Sequence, residues 1–215
     1  MKPKLLNAFI LFVGVVFFSA TWAHAQDQTP GQKPKPQIPA ALQQTESTSG
    51  ASEHSAAEKY FSDVELINQD GQKMRFYSDV LKNKVVVINT FFTSCTSVCP
   101  PMNRNFEKVQ EALGDRLGKD AFLVSISVDP TTDTPPRLKE YSGRFHARQG
   151  WIFLTGKKEN VDWALYKLGQ YVEARDDHST IIIIGNEPKG LWKKAFGLAK
   201  PDELVKIVED VINDR

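Results

Sequence analysis

The stretch that most restricts the fold is Lys84-Val85-Val86-Val87-Ile88-Asn89-Thr90-Phe91-Phe92. It is β-branched and aromatic, with little polar alternation. A strand with one face in water alternates, so this one reads as buried on both faces, as in a parallel sheet covered by helices. Next comes Thr93-Ser94-Cys95-Thr96-Ser97-Val98-Cys99-Pro100-Pro101, which holds both cysteines of the chain. Met102, Phe106, Val109 and Leu113 then recur at helical spacing, and Gly114 is placed to end that helix. Pro100 and Pro101 suit a helix's first turn, where an amide hydrogen has no intrahelical partner. Cys99 is therefore expected at a helix N-terminus and Cys95 in the loop before it. Such a place favours thiolates, because the helix end carries partial positive charge and free amide donors. A disulfide across so short a loop would contribute only about 2 kcal/mol by chain entropy. A domain of this size hardly needs that clasp, and the pair is read as chemistry.

The rest of the chain alternates strands with helices. Residues 64–67 and 74–76 read as a hairpin turning at Asp70-Gly71. Residues 121–128 form a second buried strand that ends at Asp129-Pro130. A helix carrying Leu138, Tyr141 and Phe145 follows Pro135-Pro136, then a short strand at 151–154 and a helical face of Val161, Leu165 and Leu168. The run Thr180-Ile181-Ile182-Ile183-Ile184 is a strand, residues 191–195 pair after a turn, and Pro201 opens a last helix. The expected fold class is α/β, a thioredoxin-like fold with a central mixed sheet flanked by helices and an N-terminal β-hairpin.

That order places distant residues together. Parallel strands ahead of Cys95 and Asp129 end at one edge of the sheet, where ligands bind in such folds. A strand at 181–184 antiparallel to them begins at the same edge, directly after Asp176-Asp177-His178-Ser179. His178 and the two thiols would then converge. Two thiolates and an imidazole are a soft donor set suited to Cu(I) and acceptable to Cu(II). Zinc in a closed structural site takes four ligands, and the chain has no further cysteine to supply one. Asp129 and Asp177 are candidates to support the ligands from behind, Asp177 by orienting the imidazole. Met102 belongs to the apolar stripe of its helix, and Met74 is isolated, so there is no methionine-rich copper motif.

The N-terminal part reads differently. Lys2 and Lys4 precede an apolar stretch at residues 5–18, and Ala23-His24-Ala25 offers small residues at the cleavage-determining positions. Residues 1–25 are expected to be an export signal, or an uncleaved anchor, the apolar stretch being nearly long enough to span a bilayer. Either way the thiols reach an oxidising compartment, periplasmic or at the outer face of the cytoplasmic membrane. Residues 26–57, rich in Gln, Pro, Ser and Thr, read as a disordered linker. Residues 58–215 are the single domain. Loss of Lys2 and Lys4 takes the formal charge from +1 to −1. So near-neutral a chain gives no argument for nucleic acid, nor for membrane contact except through an anchor.

From about Phe61 onward the chain resembles the Sco/SenC family of copper-binding, thioredoxin-like proteins. The motif reads Cys95-Thr96-Ser97-Val98-Cys99-Pro100, the histidine segment Asp177-His178-Ser179, and Ser127-Val128-Asp129-Pro130 with Asp133-Thr134-Pro135 matches the family's segment after the second strand. The resemblance implies that Cys95, Cys99 and His178 bind one copper. It also implies delivery of copper, or reduction of cysteines, at the copper-A centre of cytochrome c oxidase during assembly. The partner would be the copper-A subunit or another exported copper protein, with a thiol reductant to keep the pair reduced. Two departures stand out. Many members carry proline after the first cysteine and an aromatic residue close before the histidine, where this chain has Thr96 and the polar run Glu173-Ala174-Arg175-Asp176. Two other readings remain: a thiol-disulfide oxidoreductase acting on exported proteins through Cys95 and Cys99, and a copper or redox sensor. A cis-proline before the strand at 181–184, usual in thioredoxin-like reductases, is missing, which counts against general disulfide exchange.

Overall fold

The double-faced strand lies inside the sheet, as its sequence requires. The computed structural model describes residues 35–43 and 55–213. Strand β1 (Glu65–Asn68) and β2 (Lys73–Arg75) form the hairpin, followed by β3 (Val85–Phe91), β4 (Phe122–Ser127), β5 (Trp151–Gly156), β6 (Ile181–Asn186) and β7 (Leu191–Phe196). They make one seven-stranded sheet in the order β2-β1-β5-β4-β3-β6-β7. β3, β4 and β5 are parallel neighbours, whereas β6 runs antiparallel to β3, β7 to β6, and β1 to β5. The four strands β4-β3-β6-β7 carry the thioredoxin arrangement. β5 and the hairpin extend the sheet beyond β4.

Helices cover both faces. They are α1 (Ala40–Gln43), α2 (Ala56–Phe61), α3 (Cys99–Leu113), α4 (Pro135–Gly143), α5 (Lys158–Lys167) and α6 (Pro201–Asn213). One face of the sheet presents Val87, Phe91, Leu123, Ile182 and Ile184 to a core shared with Phe106 and Val109 of α3, Tyr141 of α4 and Leu204 of α6. The alternate residues Val86, Ile88, Val124, Ile126 and Ile183 pack on the other face with Phe61 of α2 and Val161 and Leu165 of α5. Consecutive residues of β3 thus enter opposite cores, which is why its sequence shows no polar alternation. Each large side chain so buried contributes about 1.5–3 kcal/mol.

Local signals act where they were expected. Pro100 and Pro101 lie in the first turn of α3, and Gly114 ends it at φ 53°, its amide donating to the Gln110 carbonyl. The hairpin turns at Asp70-Gly71, Gly71 taking φ 78°, while the Asn68 side-chain oxygen accepts from the amides of Asp70 and Gln72.

Four features differ from the sequence reading. Phe145, read as part of the helix with Leu138 and Tyr141, lies in the turn after that helix ends at Gly143. Phe76 does not extend β2; it opens a π-helical turn, Phe76–Leu81, that sinks Phe76, Tyr77, Val80 and Leu81 into the second core. The apolar demand of those four side chains outweighs the strand propensity of Phe76. Ala40–Gln43 is a helical turn within the segment read as linker, and α2 starts at Ala56, two residues before the expected domain boundary. The export-signal reading lies outside the described residues, as do linker residues 26–34 and 44–54, His54 included. Among the described residues no helix is long and apolar enough to cross a membrane.

Candidate metal centre

Topology brings the three expected ligands to one edge of the sheet. Cys95 sits in the loop after β3, Cys99 begins α3, and His178 follows a 3-10 turn, Arg175–Asp177, just before β6. Because β3 and β6 are antiparallel, the end of one meets the start of the other, and the Thr90 hydroxyl donates to the Ser179 carbonyl at 3.3 Å. One ligand atom from each of Cys95, Cys99 and His178 lies within 4.8 Å of the other two. Cys99 is fully buried, Cys95 is 7% exposed, and His178 is half-buried. Both thiols are free, so the arrangement is that of the reduced protein.

The imidazole is presented in a defined tautomer. His178 Nδ1 lies 2.9 Å from the Arg175 carbonyl oxygen, which can only accept, so Nδ1 carries the hydrogen. In the neutral ring Nε2 then offers its lone pair, and it lies 3.1 Å from Cys99 Sγ. Burial pushes the His178 pKa below its ordinary value despite that carbonyl, and so favours the neutral ring that a metal needs. Phe92 meets the imidazole edge to face at 5.3 Å between centroids. The aromatic neighbour missing just before His178 in sequence is thus supplied from the end of β3.

The two thiols are not equivalent. Burial pushes the Cys99 thiol far above its ordinary value, and the neighbouring Cys95 thiol adds to the rise. For Cys95 burial acts in the same direction, but hydrogen bonds from the Cys99 thiol and amide and from Ser97 outweigh it, and the net shift is downward. The helix-terminus argument promised thiolates at both positions. At Cys99 complete desolvation wins over the helix end.

Asp129 and Asp177 have different fates. Asp129 is paired with the Arg175 guanidinium, which also stands 5.1 Å from the centre of the Phe92 ring. Asp129 therefore touches no ligand; it holds the segment whose carbonyl holds His178. The Asp177 side chain is exposed and makes no hydrogen bond or ion pair with a described residue. The orienting contact expected of Asp177 falls to the Arg175 carbonyl instead.

Sequence reasoning did not single out Arg175, Phe92 or Asp133. Asp133 is fully buried and accepts from the Thr93 amide at 3.1 Å, from the Thr93 hydroxyl and from the Ser127 hydroxyl at 2.6 Å. It ties the loop of Cys95 to the end of β4. Asn103, in the first two turns of α3, accepts from the Asn89 amide at 2.7 Å and donates to the Tyr141 hydroxyl at 3.0 Å. The only sequence signal for Asp133 was its place in the segment Asp133-Thr134-Pro135.

A soft, convergent donor set on a thioredoxin-like sheet fits the comparison with known proteins. The family model SCO1/SenC matches residues 52–213. The chain belongs to the SCO1/SenC family. It is 31% identical over 146 residues to the SCO1 protein homolog of Bacillus subtilis, a match covering 66% of this chain and 68% of the relative. An SCO2-like protein of Rickettsia conorii is 38% identical over 99 residues, covering 46% of each chain, so the match spans about half of that relative's length. Among solved structures, Arabidopsis thaliana ScoI with copper bound superposes with a TM-score of 0.60 at 25% identity, covering 73% of this chain and 99% of the other. The seven-stranded sheet with its flanking helices is thus the Sco form of the thioredoxin-like fold.

Proposed function

We propose that this protein is an exported copper-binding metallochaperone that carries one copper ion on Cys95, Cys99 and His178. The observation that carries the reading is the meeting of three donor atoms within 4.8 Å, one of them an imidazole nitrogen whose lone pair is freed by the Arg175 carbonyl. Two sulfurs and one nitrogen suit Cu(I) and accommodate Cu(II). Binding displaces the thiol protons, and a Cys95–Cys99 disulfide removes both sulfur donors, so loading depends on redox state. The destination that fits the family is the copper-A subunit of cytochrome c oxidase, or another exported copper protein, with a thiol reductant keeping the pair open. Export rests on the basic and apolar pattern of residues 1–25.

A second reading, thiol-disulfide exchange, is favoured by the inequality of the thiols. Cys95 is shifted toward thiolate and Cys99 away from it, as in a pair with one attacking and one resolving sulfur. His178 separates the two readings, since exchange needs no distant imidazole and a copper site does. His178→Ala is expected to lower Cu(I) affinity by at least about tenfold, or 1.4 kcal/mol, in anaerobic competition with a chromophoric chelator. Exchange with a small disulfide at the same pH should stay within a few-fold of the parent. Unchanged copper affinity would refute the ligand assignment; a collapse of exchange with copper binding intact would move the function to the oxidoreductase.

A further inference from the structure

The face of the sheet opposite Cys99 carries a cavity of about 430 Å³ between α2, the end of α5 and strands β6 and β7. That volume lies within the range of small-molecule sites. Its walls are Phe61, Leu168, Ile183 and Trp192, and its mouth is set with Lys167 and Lys194. No lining side chain is a carboxylate, an amide or an imidazole. Tyr60, at the rim, has already committed its hydroxyl, which donates to the Lys167 carbonyl at 3.1 Å. An occupant therefore finds hydrocarbon inside and positive charge at the opening.

The positive charge is uncompensated. None of Lys35, Lys167 and Lys194 has an acidic partner among the described residues. The Lys167 ammonium lies over the rings of Tyr60 at 4.7 Å and Trp163 at 4.8 Å, and Lys35 stands 5.6 Å from the same Trp163 ring. Burial, then repulsion from Lys35, holds the Lys167 pKa below its ordinary value, so an anion placed here would relieve a strained charge. The apolar surface continues beyond the cavity. In the β6–β7 ladder Gly185 faces Trp192, Ile183 faces Lys194 and Ile181 faces Phe196, so Trp192, Lys194 and Phe196 share one face. Phe196 is 52% exposed there.

We propose that this cavity binds an acyl-chain anion, with the hydrocarbon chain against Phe61, Leu168, Ile183 and Trp192 and a carboxylate or phosphate head against the lysines at its mouth. Hydrocarbon fits because the walls, apart from the Trp192 indole N–H, offer nothing for a polar body to bond, and a buried polar group without a partner is costly. An acidic head fits because the lysines have no other counter-charge. β6 begins three residues after His178 and carries Ile183 into the cavity wall, which places this site and His178 on the same strand and its leading loop.

The test uses the full chain and decanoate below its micellar concentration, followed by calorimetry and by NMR of the Ile183 methyl and Trp192 indole signals. Saturable binding of one decanoate per chain is expected, with shifts at both residues. The double variant Lys167→Gln, Lys194→Gln should weaken decanoate at least tenfold and leave the neutral decan-1-ol unchanged. Ala57→Leu, which fills the cavity without altering charge, should weaken both. Release of bound decanoate by phosphatidylglycerol vesicles, but not by phosphatidylcholine vesicles, would identify the source as an anionic lipid; retention would identify it as a free acid. Equal binding of decanoate and decanol with no effect of the lysine changes would overturn the anion site. Vesicle binding without decanoate binding would overturn the cavity in favour of surface adsorption, and absence of both would overturn the proposal entirely.

Discussion

Replacing Asp133 by alanine tests whether the loop of Cys95 is held from below. The carboxylate is fully buried and accepts three hydrogen bonds, from the amide and hydroxyl of Thr93 and the hydroxyl of Ser127. A hydrogen bond to a charged acceptor contributes about 1.5–3 kcal/mol, and a buried donor left alone costs about 1–3 kcal/mol. The two hydroxyls can rotate toward other acceptors, whereas the Thr93 amide is fixed by the backbone. Discounting the hydroxyls leaves a destabilisation of about 2.5–6 kcal/mol, a large share of the roughly 5–15 kcal/mol that domains possess. In a domain of this size that corresponds to a fall in Tm of about 5–24 °C. Urea unfolding of the reduced, metal-free protein measures it directly. Cu(I) affinity should fall in the same variant, because Thr93 lies two residues before Cys95. A loss below about 1 kcal/mol, or a large loss of stability with copper affinity unchanged, would refute the idea that Asp133 anchors the metal loop.

Cys95→Ser and Cys99→Ser should each abolish tight Cu(I) binding in chelator competition while the circular dichroism stays that of the parent; failure of either variant to fold would return the pair to a structural role. The stability of the reduced protein should rise with pH through His178. Burial lowers its pKa from the ordinary 6.5, so the unfolded chain takes up the proton first. The contribution is complete above that ordinary value and is lost as the pH falls through the lower folded value. Urea midpoints between pH 5 and 8 should therefore flatten in His178→Ala, and an identical slope in parent and variant would exclude His178 as the source. Gly185→Ala places a Cβ 2.2 Å from a ring carbon of Trp192, so the indole must move. Overpacking of this kind costs about 1–3 kcal/mol, and an unchanged urea midpoint would show that Trp192 yields freely.

How much of this was legible in the chain follows from the range over which each signal acts. The apolar run of β3, the helical spacing from Met102 to Leu113, the glycine at 114 and the Asp70-Gly71 turn are contiguous, and backbone geometry reads them locally. The order of those elements then sufficed to bring His178 to the cysteines, because antiparallel pairing puts the start of β6 at the end of β3. Other matters belong to packing. Helix position alone predicts thiolates at both Cys95 and Cys99, and only burial separates them, since the desolvation of a side chain is set by everything around it. Asp177 adjoins His178 in sequence yet points to solvent, while Arg175 supplies a backbone carbonyl, a group every residue carries and no residue type advertises. Asp129 meets Arg175 across 46 positions, and Asp133 meets Thr93 across 40. The cavity opposite the thiols is assembled from α2, α5, β6 and β7, whose lysines lie scattered along the sequence. Their charge becomes a site only where the tertiary fold sets them around one apolar opening.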